Sequence, residues 1–283
     1  MIPENIDFAK LLHQYGIQPK KSLGQNFLFD GDIINQIIDL AGITAGMTAL
    51  EIGAGPGNLT RALAARAGRV VAVELDQRFL PLLELAGSTH PNLEVIHANI
   101  LSLDLDELMH AAGYIVVANL PYYITSAVIR KLLETRLKPA RLVLTVQKEV
   151  ASRICARAGE LSLLAVSVRV YGEPRLVLSI PAGAFYPTPK VDSAVILIDT
   201  HPAPLVSMEN LGLFFRIVKA GFSQKRKMLR NTLSAGMRIP IPECEQLLGA
   251  VGIDPSRRAQ TLEPAEWVIL TGEFIRQNPK IDA

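Results

Sequence analysis

Thr48-Ala49-Leu50-Glu51-Ile52-Gly53-Ala54-Gly55-Pro56-Gly57 decides the fold of this chain. Its first five residues are mostly apolar and suit a buried strand, Thr48–Ile52. Glycine at Gly53, Gly55 and Gly57 then lets the backbone turn sharply and approach a ligand with no side chain in the way. Asn58–Arg66 follows with helical periodicity. Working outward, Val70–Glu74, Leu93–His97, Tyr114–Ala118 and Leu142–Val146 are further strand candidates. Gln77–Ala86, Ser126–Thr135 and Glu149–Ala158 carry helical spacing between and after them. Such alternation predicts a parallel sheet covered by helices on both faces. A helix at Leu161–Tyr171 and strands at Arg175–Ile180 and Val191–Asp199 come next. Paired antiparallel at one edge, those strands would complete a seven-stranded sheet. His201-Pro202-Ala203-Pro204 reads as a linker. Beyond it the pattern is all helical: Met208–Gly221, Lys225–Ser234, Pro242–Val251 and Pro264–Gln277. The expected organisation is an α/β domain over residues 1–202 and a small helical domain over residues 203–283.

At 283 residues the chain suits one large and one small domain, and 49% hydrophobic residues are ample for a core. No segment approaches the ~18 apolar residues of a membrane span. Met1–Phe8 carries Glu4 and Asp7 and has no signal-peptide pattern. Cys155 and Cys244 form no spaced pair, so a reducing cytoplasm is the expected location. The five histidines lack metal-ligand spacing, so no metal site is expected.

Glu74 ends the second strand, where a carboxylate can accept both ribose hydroxyls of a nucleoside. Two ligands compete for such a loop and acid. A dinucleotide pattern wants its third glycine where this chain has Asn58, next to the helix N-terminus that would take the pyrophosphate. S-adenosylmethionine has no phosphate and tolerates the change. Glu51 either serves the ammonium end of such a ligand or simply stabilises the fold. Asn99, ending the third strand, either accepts from the ligand's adenine amine or caps the next loop. His97 beside it reads as structural.

Asn119-Leu120-Pro121-Tyr122 closes the fourth strand, and proline stops the ladder there. The Asn119 side-chain oxygen and the Leu120 carbonyl can face one pocket as acceptors. An exocyclic adenine amine has two N–H donors. Two fixed acceptors would hold both and leave the nitrogen lone pair aimed at an electrophile, while Tyr122 stacks on a base taken out of its helix.

Taken together these residues resemble the KsgA/RsmA family of small-subunit (16S) ribosomal RNA adenine dimethyltransferases, over nearly the whole chain. Lys21-Ser22-Leu23-Gly24-Gln25-Asn26-Phe27-Leu28 is similar to the family's N-terminal cofactor-contacting segment. Glu51 to Gly57, Glu74 and Asn119 to Tyr123 follow in the family's order. Gln147-Lys148-Glu149-Val150 and Phe185-Tyr186-Pro187-Thr188-Pro189-Lys190-Val191-Asp192-Ser193-Ala194 also resemble family signatures, as do Gln224-Lys225-Arg226-Lys227, Leu229-Arg230-Asn231 and Arg258-Ala259-Gln260.

The resemblance implies a Rossmann-like, class I S-adenosylmethionine-dependent methyltransferase with a seven-stranded, mostly parallel sheet and an all-helical C-terminal domain that binds RNA or the ribosome. Asn26, Leu28, Gly53, Gly55, Glu74, Asn99 and Asn119 would hold S-adenosylmethionine. Asn119, Leu120, Tyr122 and Phe185 would handle the target base, with Phe185 on the face opposite Tyr122 and Tyr123 as packing. The family usually has aspartate where this chain has Asn99; asparagine keeps the acceptor oxygen and loses the charge. The implied substrate is a pair of adjacent adenosines in the 3′-terminal hairpin loop of the small-subunit RNA, within a partly assembled particle. A monomer is the expected state.

The 210–242 stretch has no acidic residue and seven basic ones: Arg216, Lys219, Lys225, Arg226, Lys227, Arg230 and Arg238. On a helix starting near Gln224, Met228, Leu229, Thr232 and Leu233 would be the buried stripe, and Arg226 and Arg230 would share another face. Lys219, Lys225, Arg226, Lys227 and Arg230 are the candidate phosphate contacts, with Lys20 and Lys21 as an extension. Four rivals stand beside this reading. They are a large-subunit ribosomal RNA methyltransferase conferring antibiotic resistance, an assembly factor whose binding is separable from catalysis, an NAD-dependent oxidoreductase and a DNA adenine methyltransferase. Asn58 and the lack of a hydride-transfer histidine disfavour the oxidoreductase. The basic tail and the leucine of Asn-Leu-Pro-Tyr favour the small subunit over the large.

Overall fold

The computed structural model describes residues 12–277, so the Met1–Phe8 stretch lies outside the described residues. In chain order the elements of the first part are β1 (Phe27–Leu28), α1 (Gly31–Ala41), β2 (Thr48–Ile52), α2 (Asn58–Ala64), β3 (Arg69–Glu74), α3 (Leu80–Thr89) and β4 (Leu93–His97). They continue with α4 (Leu105–Met109), β5 (Ile115–Asn119), α5 (Thr125–Glu134), β6 (Arg141–Gln147), α6 (Lys148–Ile154), α7 (Leu163–Arg169), β7 (Gly172–Ile180), β8 (Phe185–Tyr186) and β9 (Ser193–Thr200).

Seven strands form one sheet in the order β4-β3-β2-β5-β6-β9-β7. β2 pairs parallel with both β3 and β5, and β4 and β6 extend the parallel part on either side. β9 runs antiparallel to β6, with Gln147 opposite Ser193. The central strands read as unbroken apolar runs because helices cover both faces. Val70, Val71, Val116, Val117, Leu142 and Leu144 are all fully buried. Strand order reverses about β2 and β5, which opens a crevice at the carboxyl ends of the strands.

Four elements were not expected from the sequence. In α1, Asp30 caps the helix by accepting from the Asp32 and Ile33 backbone N–H groups, and Ile34, Ile37, Ile38 and Ala41 form its buried stripe. In α4, Asp104 caps in the same way. The short strands β1 and β8 pair antiparallel, with Phe27 opposite Tyr186 and Leu28 opposite Phe185.

Contacts divide the chain into two compact units. Among the described residues, those up to Ala151 join Pro174–Thr200, and Ser152–Glu173 joins those from His201 onward. The segment containing α7 thus packs with the second unit, where the sequence reading had kept it with the sheet. Its partners explain this: the Gly159 and Leu161 backbone N–H groups donate to the Gln260 carbonyl.

The second unit adds α8 (Leu211–Gly221), α9 (Leu229–Met237), α10 (Ile241–Ala250) and α11 (Pro264–Gln277). Its core centres on Trp267, Phe214, Leu229, Leu248 and Leu270, all fully buried. Here the structure corrects the sequence reading. Lys225–Lys227 lie in a turn, and α9 begins only at Leu229. The carbonyls of Arg257 and Pro255 accept from the Leu229 and Arg230 backbone N–H groups, which fixes that start. Met228 is therefore exposed, while Leu229, Thr232 and Leu233 are buried as expected. Arg226 and Arg230 do not share a helical face. No helix among the described residues is long and apolar enough to cross a membrane.

Candidate active site

A cavity at the carboxyl ends of β2, β3 and β5 is lined by residues 23–27, by Gly53, Glu74 and Asn99, and by residues 119–124. Each wall follows from local sequence. After β2 the chain turns through Gly53 (φ 74°), Gly55 (φ 52°) and Gly57 (φ 86°). These backbone angles disfavour any residue with a Cβ, and a Cβ on Gly55 would stand 3.0 Å from the Phe27 ring.

Glu74, almost completely buried at the end of β3, is held by two backbone donors. The Gly55 N–H bonds its Oε2 and the Asp76 N–H its Oε1, both at 2.7 Å. Burial pushes its pKa up, against those N–H groups that favour the charge. A carboxylate oxygen accepts two hydrogen bonds, so each keeps one lone pair for a diol. The acid and the glycine cradle fit the nucleoside part of S-adenosylmethionine.

The segment from Lys20 to Leu28 forms the opposite wall and is tied down at several points. Gln25 accepts from the Lys20 N–H (2.7 Å) and donates to Asp76 Oδ2 (2.9 Å). The Arg78 guanidinium, hydrogen-bonded to Asp76, holds that carboxyl well below the usual carboxylate range. Asn58 Nδ2 donates to the Leu28 carbonyl at 3.0 Å. The residue that replaces the third glycine therefore fastens α2 to β1. Lys20 Nζ stands 4.0 Å from Asp76, and the Lys21 side chain lies outside the described residues.

Asn119 ends β5 with its side chain half buried. Its Nδ2 donates to the Asn26 carbonyl at 2.8 Å, and its Oδ1 accepts no hydrogen bond among the described residues. The Leu120 N–H donates to the Thr145 carbonyl. Tyr122, on the cavity wall, shares a 3.1 Å hydrogen bond between its hydroxyl and Ser193 Oγ. Asn99, at the far end of the cavity, accepts the Leu101 N–H on Oδ1 at 3.0 Å. It caps its loop, one of the two readings of that residue, and also lines the cavity.

Four sequence expectations are placed differently. Phe185 is 2% exposed and packs in the core with Leu28, Ile34 and Val195. It is not among the residues that line this cavity, because pairing of β8 with β1 turns Phe185 inward and Tyr186 outward. Leu28 is likewise buried in that core, with its carbonyl taken by Asn58. Gly55 acts from behind Glu74. Tyr123, read as packing, is 62% exposed on the cavity rim, its ring against Gly24. Glu51 is 1% exposed and outside the cavity wall, with Oε2 unpartnered. Burial, reinforced by the Glu74 charge, pushes its pKa up to about 8. Sequence reasoning missed Gln25, Asn58 and Ser193 as holding residues. Their partners lie tens of positions away, beyond the reach of any local pattern.

In the second unit Lys219, Lys225, Arg226 and Lys227 are exposed and form no ion pair among the described residues. Arg230 differs: it pairs with Glu245 at 2.7 Å.

A sheet of this order, with a glycine loop and ribose-type acid at its strand-order reversal, defines a class I S-adenosylmethionine-dependent methyltransferase. Comparison with known sequences narrows the class. The profile of the family described as ribosomal RNA adenine dimethylase matches residues 16–272. A relative from Dehalococcoides mccartyi, named ribosomal RNA small subunit methyltransferase A, is 43% identical over 94% of this chain and 91% of its own. The chain belongs to the ribosomal RNA adenine dimethylase family. Among solved structures, a dimethyladenosine transferase from Plasmodium falciparum superposes with a TM-score of 0.79 at 25% identity, covering 89% of this chain and 98% of that one. The 23S rRNA methyltransferase ErmE gives 0.72 at 29% identity, over 88% of this chain and 99% of that one.

Proposed function

We propose that this protein methylates the exocyclic amine of two adjacent adenosines in the 3′-terminal hairpin loop of small-subunit (16S) ribosomal RNA, twice each, during small-subunit biogenesis. The observation that carries the reading is the orientation of the Asn119 amide. One Nδ2 hydrogen is committed to the Asn26 carbonyl in a residue that lines the cavity, which leaves Oδ1 as the acceptor that an amine needs. The Leu120 carbonyl is the second acceptor. Held by both N–H groups, the amine presents its lone pair along one line, and positioning of this kind supplies up to roughly 7–11 kcal/mol. No strong base is required beforehand, because the nitrogen becomes acidic only as its new bond forms. Tyr122 stacks on the extruded base, a contact worth ~1–3 kcal/mol.

S-adenosylmethionine, when bound, supplies an electrophilic methyl group on its sulfonium. Glu74 would hold the ribose, Asn99 the adenine, and Asn26, Gly53 and Asn119 the remaining wall. Lys219 and the Lys225–Arg226–Lys227 turn would grip phosphates and set register without reading bases. The protein is taken to act as a monomer in the cytoplasm, where its substrate assembles. The 43% identity to a relative named for the small subunit, against 29% to ErmE, supports the small-subunit target. The test is transfer of labelled methyl from S-adenosylmethionine to unmethylated small subunits, with large subunits as control. Label as dimethyladenosine in the small subunit is expected. Label confined to the large subunit would move the protein to the resistance enzymes, and binding without label would leave only an assembly role.

A further inference from the structure

Phe185 does not reach the cavity, yet the signature that begins with it is joined to the cavity at its other end. Asp192 and Ser193 are held from three sides. The Asp192 carbonyl accepts the Lys148 N–H at 3.1 Å, and its Oδ1 accepts the Ala182 N–H at 3.0 Å. Ser193, 1% exposed at the end of the antiparallel β6–β9 ladder, shares its hydroxyl hydrogen bond with Tyr122 at 3.1 Å.

We infer that Ser193 is a positioning residue for methyl transfer: it fixes the position of the Tyr122 ring on which the target base stacks. A tyrosine anchored only at its Cβ can swing about χ1 and rotate about χ2. A hydrogen bond at the far end of the ring, to a buried hydroxyl fixed by the sheet, restrains the swing about χ1 and so fixes where the ring stands. The ring then meets the base already in place, and a misplaced ring costs rate even when the base still binds. The inference rests on the proposed stacking role of Tyr122.

Ser193→Ala should lower kcat on unmethylated small subunits by about 2- to 10-fold, the value of one hydrogen bond. Its affinity for S-adenosylmethionine should stay unchanged, its thermal midpoint should fall by no more than roughly 1–6 °C, and Ser193→Thr should restore the rate. Tyr122→Phe should show the same loss, and the double variant should lose no more than either alone. An unchanged kcat in Ser193→Ala, or equal losses from Ser193→Ala with and without the Tyr122 hydroxyl, would overturn the assignment. Full activity in Tyr122→Ala would instead remove the stacking reading, and this inference with it.

Discussion

Phe185 is the residue at which a stacking role and a packing role predict different numbers. It is 2% exposed, among Leu28, Ile34, Val195 and their neighbours. Truncating a buried phenylalanine to alanine costs about 3–5 kcal/mol, from lost transfer energy plus the cavity left behind. A domain of this size shifts its midpoint by roughly 2–4 °C per kcal/mol, so Phe185→Ala should lower Tm by about 6–20 °C. Phe185→Leu leaves a smaller void and should cost about 1–2 kcal/mol, or roughly 2–8 °C. The assay pairs thermal unfolding with kcat on unmethylated small subunits, read well below both midpoints. There, Phe185→Leu should turn over within about threefold of the unaltered protein, since repacking absorbs most of the change. A leucine variant that keeps its Tm yet loses two orders of magnitude in kcat would refute the packing assignment and return Phe185 to the base.

Three further outcomes follow from other residues. Glu51 titrates near 4.5 when unfolded and near 8 when folded. Between those values the unfolded chain ionises and the folded one does not, so stability falls as pH rises towards 8. Glu51→Gln should therefore gain Tm over the unaltered protein increasingly from pH 5 to 8, and a constant offset would contradict the shift. Asn99→Asp, restoring a charge to the cavity end, should tighten S-adenosylmethionine by about 2- to 10-fold by calorimetry, as expected of a charge-assisted hydrogen bond; weaker binding would remove Asn99 from the adenine. Replacing Lys225, Arg226 and Lys227 with glutamine should flatten the dependence of log affinity for small subunits on log salt by about two to three units; an unchanged slope would take the turn off the RNA.

The central sheet was legible because each parallel strand is an apolar run bounded by turn residues, and β2 and β4 fall where that pattern puts them. Asn119 was legible too, since a proline two residues later fixes where β5 must end. Phe185 was not. Whether an aromatic in a two-residue strand points in or out depends on its partner, here Leu28, more than 150 positions earlier in the chain. The basic turn shows the same limit from another side. Its exposure followed from charge alone, but the start of α9 depends on carbonyls of Pro255 and Arg257. Asp30 and the Ile34, Ile37, Ile38 spacing did mark α1 in the sequence.

The claim that Asn119 orients the target amine is tested most directly by a single-turnover reaction. Enzyme with and without Asn119→Ala is loaded with labelled S-adenosylmethionine and mixed with unmethylated small subunits. The account predicts one labelled methyl transferred, as monomethyladenosine, by the unaltered protein and a rate lower by orders of magnitude in the variant, with the cofactor still bound. Near-normal transfer by Asn119→Ala would contradict it.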